Sequence, residues 1–351
     1  MTDPFGHALL RRRLKQIPDL LVGMLGDPPR ADPKTLKSTG FIVTGTGSSE
    51  AHARFLVNLL NRYADRPAEF VPLSGFCAST PIAASDQTLV VVSQGLSPNA
   101  QVAINEFASF AHTIVFTATT AEGAAAAGKT ARAQLIRDLE SAGVEFIRGP
   151  LEEEYSTLIR FVGPMACFLS TYLYSRSLKP DALPPVTPQD LRHLLASEID
   201  PETTRTFITE SEHFKRGFYL IAGAPLCETA QNLGYKFLEG LFWSSPAIWD
   251  YLQFAHGPFQ EVSLHPRPVV ILEGPGDTEA ELASRTRDML ESVSLPHITI
   301  TGQFEPPLSI LEFEATFNTL IMHLIEHFKV DQINWPSKGK DDPLYGFYRM
   351  P

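Results

Sequence analysis

The stretch Lys179-Pro180-Asp181-Ala182-Leu183-Pro184-Pro185-Val186-Thr187-Pro188 holds four prolines in ten residues. Proline lacks an N–H and its ring clashes with the preceding helical turn, so this stretch serves neither a helix interior nor a central strand. It divides the 351-residue chain near its middle. A chain of this length that is 44% hydrophobic supplies two cores of ordinary size rather than one. The predicted bounds are a helical arm over 1–35, a first domain over 36–178, a linker and helix over 179–205, a second domain over 206–330 and a tail over 331–351.

In the first half, short apolar runs at Phe41–Thr44, Thr88–Val92, 113–116 and 144–147 are separated by helical stretches. Such runs predict parallel strands buried on both faces and joined by crossover helices. A further helix is predicted from about Glu154 to Tyr174. The second half repeats the order, with strands over 218–222, 269–272 and 298–300 and helices over 228–241, 278–292 and 311–328. The fold class this predicts is α/β, two tandem doubly wound parallel-sheet domains. Ahead of them, Leu9, Leu10, Leu14, Ile17 and Leu21 recur at helical spacing until Asp27-Pro28-Pro29 ends the helix, an arm on the first domain.

Lysine and arginine number 29 against 40 acidic residues, a formal net charge of -11, which disfavours the many phosphate contacts of a nucleic-acid partner. Cys77, Cys167 and Cys227 are far apart, as reduced thiols of a cytoplasmic protein are, and no zinc spacing is present. Arg11, Arg12, Arg13 and Lys15 interrupt the apolar N-terminus, and no run of about 18 apolar residues occurs, so no membrane partner is expected.

Gly45-Thr46-Gly47-Ser48-Ser49 joins a strand to a helix and offers small residues, free N–H groups, two hydroxyls and the positive end of a helix dipole. That chemistry suits an anion or a sugar hydroxyl; a tight turn with an N-cap serine is the plainer alternative. The dinucleotide fingerprint is incomplete, because Glu50 stands at the third glycine and the next strand offers only Glu69, at its start. Ser93-Gln94-Gly95-Leu96-Ser97-Pro98-Asn99 likewise follows a strand and opens a helix, so both loops fall at the carboxyl edge of one sheet. Ser156-Thr157, at the start of the next helix, is expected to converge on that edge. The second half echoes the first turn in Gly223-Ala224-Pro225-Leu226-Cys227-Glu228.

These loops, with Lys236-Phe237-Leu238-Glu239 and His256-Gly257-Pro258 further on, resemble the sugar isomerase (SIS) family, in particular the isomerase module of glucosamine-6-phosphate synthase. The resemblance covers most of the chain and implies two tandem SIS-type domains. It implies a sugar or sugar-phosphate pocket lined by Gly47, Ser48, Ser49, Ser93, Gln94, Ser97, Ser156 and Thr157. It also implies that His256 opens the sugar ring while Glu239 moves a proton between C1 and C2. The chemistry is sound, since proton abstraction beside a carbonyl needs a positioned carboxylate and an imidazole exchanges protons near neutrality. Lys236, one turn before Glu239, would hold it or stabilise enolate charge. Taken alone, Lys-x-x-Glu is an ordinary helix-surface pair. Family members pair so that the histidine reaches the neighbouring subunit, which implies a homodimer. No cofactor or metal is implied.

Two departures from the family pattern bear on the ligand. Val92 and Gln94 stand where the usual Ser-x-Ser-Gly loop has hydroxyls. The family's terminal lysine after Asp-x-Pro-Arg has no direct counterpart past Val330-Asp331-Gln332, and Lys338 or Lys340 would take its place; Tyr345, Phe347, Tyr348 and Arg349 follow. The expected activity is that of an aldose–ketose isomerase, or of a sugar-phosphate deaminase or deglycase. The alternative is a sugar-binding sensor without catalysis. Phe242, Trp243, Trp249, Tyr251 and Phe254 are expected to pack a core. His52, His112 and His213 have no ligand-spaced partners, and the pair His323 and His327 lacks the glutamate of a metalloprotease helix.

Overall fold

The computed structural model describes residues 3–78, 85–151 and 156–347. The first sheet holds β1 (Phe41–Thr44), β2 (Ala68–Phe70), β3 (Thr88–Val92), β4 (His112–Thr117) and β5 (Glu145–Arg148), in the order β2-β1-β3-β4-β5. The second holds β6 (Tyr219–Ala222), β7 (Ala247–Asp250), β8 (Val269–Glu273) and β9 (His297–Thr301), in the order β7-β6-β8-β9. Every pairing in both sheets is parallel. The tandem doubly wound α/β fold is therefore present as the sequence predicts.

The central strands form because both of their faces are covered. Leu89 and Val91 enter one core with Ile42, Val115, Ile104 and Ile136, while Val90 and Val92 point the other way, into a core with Val43, Ile114, Leu56 and Tyr174. This is the two-residue alternation of a strand, with apolar side chains on both phases. In the second sheet, Tyr219, Ile221, Val269 and Ile271 pack on Phe254, Val262 and Leu290. Strand β7 lies outside the predicted set. Its residues are half-buried or exposed, and its sequence Ala-Ile-Trp-Asp follows Pro246, so it lacks the apolar run that marks a central strand.

By contacts the chain divides into two compact units. The first comprises residues 16–155, 162–188 and 334–351 and holds β1 to β5; the second comprises 1–15, 156–161 and 189–333 and holds β6 to β9. The helix His7–Met24 is thus shared: its opening turns pack with the second unit, where His7 bonds the Val330 carbonyl at 2.8 Å and Arg11 pairs with Glu326. Of the segment expected as an arm on the first domain, residues 16–35 group with the first unit, while residues 1–15 group with the second, held there by charge and hydrogen bonds that a helical periodicity does not reveal. The helix predicted from Glu154 starts at Val162 and runs to Leu178; Glu154 itself lies outside the described residues. No helix among the described residues is long and apolar enough to cross a membrane.

Candidate functional site

In the first unit the chain leaves β1 toward β2 on one side and returns to β3 on the other, which opens a crevice at the carboxyl ends of β1 and β3. The two polar loops sit there. A Cβ at Gly45 would lie 2.4 Å from the Ser49 carbonyl oxygen, so only glycine permits the turn. The helix cap is Gly47, at φ +60°, and not a serine. Ser48 and Ser49 fall instead in the first turn of the helix Ser48–Arg62, half-buried, with their hydroxyls unbonded among the described residues. The capping alternative is thereby replaced by two free hydroxyls at a helix N-terminus.

After β3, Ser93 Oγ accepts from the Ser97 N–H at 3.1 Å, and Ser97 Oγ donates to Asn99 at 2.6 Å. Between them Leu96, fully buried, adopts φ +47°. A branched side chain rarely takes that left-handed conformation, and burial of the leucine is what holds the loop there. Gln94 is only 8% exposed, and its backbone carbonyl accepts the Thr117 hydroxyl at 2.9 Å. Its amide Nε2 has no partner among the described residues, and Gln94 lines a cavity of about 20 Å³ with Thr117, Gly149, Cys167 and Ser170. Burial pushes the Cys167 thiol far up, so it stays protonated there. The tail returns to this unit: the short helix Asp342–Tyr345 packs against Pro98–Ala100, directly after Ser97. Lys338 lies over the Trp335 ring at 4.3 Å, and Lys340 is exposed. Tyr348 and Arg349 lie outside the described residues.

Ser156 and Thr157 belong to the second unit, not to the sheet of Ser48 and Ser93. They do not start a helix. Thr157 is buried and donates its hydroxyl to the Ile159 carbonyl at 3.0 Å, and the segment 156–161 is strapped down by Gln332, whose carbonyl takes the Leu158 N–H and whose Oε1 takes the Ile159 N–H, both at 3.1 Å. Gln332 Nε2 also donates to the carbonyls of Glu239 at 3.2 Å and Gly240 at 2.8 Å. One buried glutamine therefore satisfies the open carboxyl end of the helix Gln231–Leu241 and fixes the loop that carries Arg160.

That helix is anchored by Phe237, which meets the rings of Phe207, Phe218, Trp243 and Phe317 at centroid distances of 4.9 to 6.3 Å. Full burial of one such ring contributes about 2–3 kcal/mol. The helix stops at Phe242, in the left-handed conformation. Trp243, Tyr251 and Phe254 are buried core residues, Trp249 is half-buried and Phe242 is exposed.

Glu239 is half-buried on this helix, and its carboxyl is pushed up to about 7 by burial, against the pull of Arg160 and then Lys236. Lys236 is placed differently from the expectation that it holds Glu239. Its ammonium is buried, 2.8 Å from Glu314 and 2.6 Å from Asn318 Oδ1 on the helix Ser309–Phe328, and no ion pair joins it to Glu239 among the described residues. A buried ammonium needs a full counter-charge, and the fully buried Glu314 supplies it. His256 is exposed between the short helices Tyr251–Phe254 and Pro258–Leu264, and its ring has no partner among the described residues. Arg160 was not legible as a site residue, because only the strapped loop sets it beside Glu239.

The second sheet has the same crevice, between the ends of β6 and β8, but its own carboxylate fills it. Glu279 Oε1 accepts the Gly274 N–H at 3.1 Å, and the Gly223 N–H bonds the same carboxylate. A Cβ on Gly223 would lie 2.9 Å from it. No group of three or more potential metal ligands occurs among the described residues.

No protein-family model matches the chain, and no curated protein matches it by sequence. Solved structures do. The chain is similar to the C-terminal domain of glucosamine-fructose-6-phosphate aminotransferase from Francisella tularensis, with a TM-score of 0.70 at 11% identity over 92% of this chain and 98% of that one. It is similar to glucosamine-6-phosphate deaminase from Thermotoga maritima, with a TM-score of 0.65 at 14% identity over 93% and 97%. It is also similar to tagatose-6-phosphate ketose/aldose isomerase from Escherichia coli, with a TM-score of 0.61 at 13% identity over 95% and 99%. At these identities the likeness is one of fold: the chain has the double SIS fold that its motifs resemble.

Proposed function

We propose that the chain is an enzyme acting on a small sugar phosphate or amino-sugar phosphate, in which Glu239 moves a proton between C1 and C2 of the open chain. The observation that carries this reading is the Glu239 carboxyl, pushed up to about 7 by burial, where a carboxylate is an effective base at neutral pH. Arg160, beside it, supplies positive charge for a developing enolate oxygen. His256, exposed and unpartnered among the described residues, opens the ring as acid and base, reaching a second copy of the chain in a homodimer. Ser48, Ser49, Ser93, Ser97 and Gln94 donate to phosphate or hydroxyl oxygens of the ligand, with Lys338 or Lys340 as a further cation from the tail. Isomerisation and C–N cleavage share the proton transfer, so isomerase, deaminase and deglycase are variants of one mechanism. The named activities of the similar structures support this substrate class. We place the protein in the cytoplasm, where such phosphates occur.

The test is hydrogen exchange in D2O with a panel of hexose, ketose and amino-sugar phosphates and their unphosphorylated forms, followed by NMR at C1 and C2. Exchange with one class is expected, with a rate that rises as pH increases through about 7, since the ionised form of Glu239 is the active one. A second reading, a sugar sensor, is favoured by similarity to a putative sugar binding protein from Salmonella typhimurium, with a TM-score of 0.59 at 15% identity over 90% of this chain and 99% of that one. Tight binding of a panel member with no exchange at any pH would select it over the enzyme.

A further inference from the structure

Glu314 belongs to no motif, yet it is fully buried opposite Lys236. Its Oε2 lies 2.8 Å from the Lys236 ammonium, and its Oε1 accepts from Asn232 Nδ2 at 2.7 Å. Asn318, one turn along the same helix, accepts from Lys236 at 2.6 Å. On the helix Ser309–Phe328 the Asn318 acceptor and the paired charge of Glu314 thus hold the ammonium, while Asn232 fixes the direction of the carboxylate. We propose that Glu314 is a positioning residue for Glu239: it holds and neutralises Lys236, so that the ammonium does not pair with the carboxylate one turn away. This rests on the reading of Glu239 as the proton-transferring base.

The physical argument is one of competing counter-charges. An unneutralised ammonium within about 4–6 Å of a carboxylate lowers its pKa by about 1–3 units. A charge paired at 2.8 Å acts at a distance as a dipole, whose field falls off faster than that of a lone ion. The charged groups that face Glu239 are Arg160 and Lys236. On the helix that bears Glu314 the other carboxylates are engaged elsewhere, Glu312 by the N–H groups of Gln303 and Phe304 and by Ser197, and Glu326 by Arg11, while His323 and His327 are exposed. Glu314 is therefore the group in position to cancel Lys236.

The test follows the Glu239 carboxyl directly, by NMR titration of the full chain labelled at glutamate Cδ, with Glu239→Gln assigning the signal. In Glu314→Gln the midpoint is expected to fall by about one unit or more, because the freed ammonium turns to Glu239. In Lys236→Met with Glu314→Leu, which removes both charges at similar volume, it is expected to stay within about half a unit of wild type. An unchanged midpoint in Glu314→Gln overturns the proposal. So does a displacement of more than a unit in the double variant, which decides the matter even where Glu314→Gln does not fold. A merely structural role for Glu314 would lower stability without moving the midpoint. The titration needs no substrate, so failure of the enzyme reading leaves its outcome intact and separately visible.

Discussion

At pH 8 the Glu239→Gln variant is expected to be more stable than the wild-type protein while losing about 10³-fold in proton exchange on the substrate. The two effects have one cause. Burial pushes the Glu239 carboxyl up to about 7 from an ordinary 4.5. Between those values the folded chain holds a proton that the unfolded chain has released, so its contribution to stability is complete below pH 4.5 and is lost as pH rises through about 7. Above that point the ionised side chain costs about 2 kcal/mol, after allowance for its partial exposure. Glutamine removes the charge and the cost, and the melting temperature of the second unit is expected to rise by roughly 4–8 °C at pH 8. The gain should vanish near pH 4, where both residues are neutral. Thermal melts across that range, with exchange assays beside them, check both halves. A variant with wild-type exchange, or one no more stable at pH 8 than at pH 4 relative to wild type, would remove Glu239 from the mechanism.

The second large effect concerns Gln332. Gln332→Leu keeps the volume and deletes three hydrogen bonds, leaving the Gly240 carbonyl and the Ile159 N–H buried without their partner. A loss of about 3 kcal/mol is expected, the typical cost of stranding buried backbone groups, with a shift of the second unit's urea midpoint to match. Because the same side chain ties down the loop of Arg160, exchange activity should fall in the molecules that remain folded. A change in stability below about 0.5 kcal/mol, the range of ordinary surface substitutions, would show that water replaces these bonds at no cost.

How much of this was legible beforehand depends on the distance over which each feature is encoded. Strands β1, β3, β4, β6 and β8 announce themselves because burial on both faces demands an unbroken apolar run. Strand β7 does not, since an edge strand beside an exposed surface tolerates polar and aromatic residues in any order. The Lys-x-x-Glu helix and the two serine loops are local and could be read directly. The side chain that takes Lys236 is not: Glu314 lies far along the chain, on a helix whose apolar periodicity hides a buried acid. Arg160 and Gln332 owe their places to hydrogen bonds from irregular segments, which leave no period in the sequence. Ser156 and Thr157 looked like a cap because cap residues and loop-bracing residues are the same types.

Glu279 has a consequence for how ligand titrations of this protein will look. A carboxylate tethered to the same chain competes for the Gly223 and Gly274 amides at an effective concentration in roughly the millimolar range or above, which dilution cannot lower. A free phosphate or sugar acid at micromolar levels is therefore not expected to displace it. The two crevices, alike in topology, are thus unequal receptors, and saturation of the open one leaves the other silent. A stoichiometry of one ligand per chain would then arise from the occupancy of the second crevice by a built-in anion, with no need for cooperativity between the sheets.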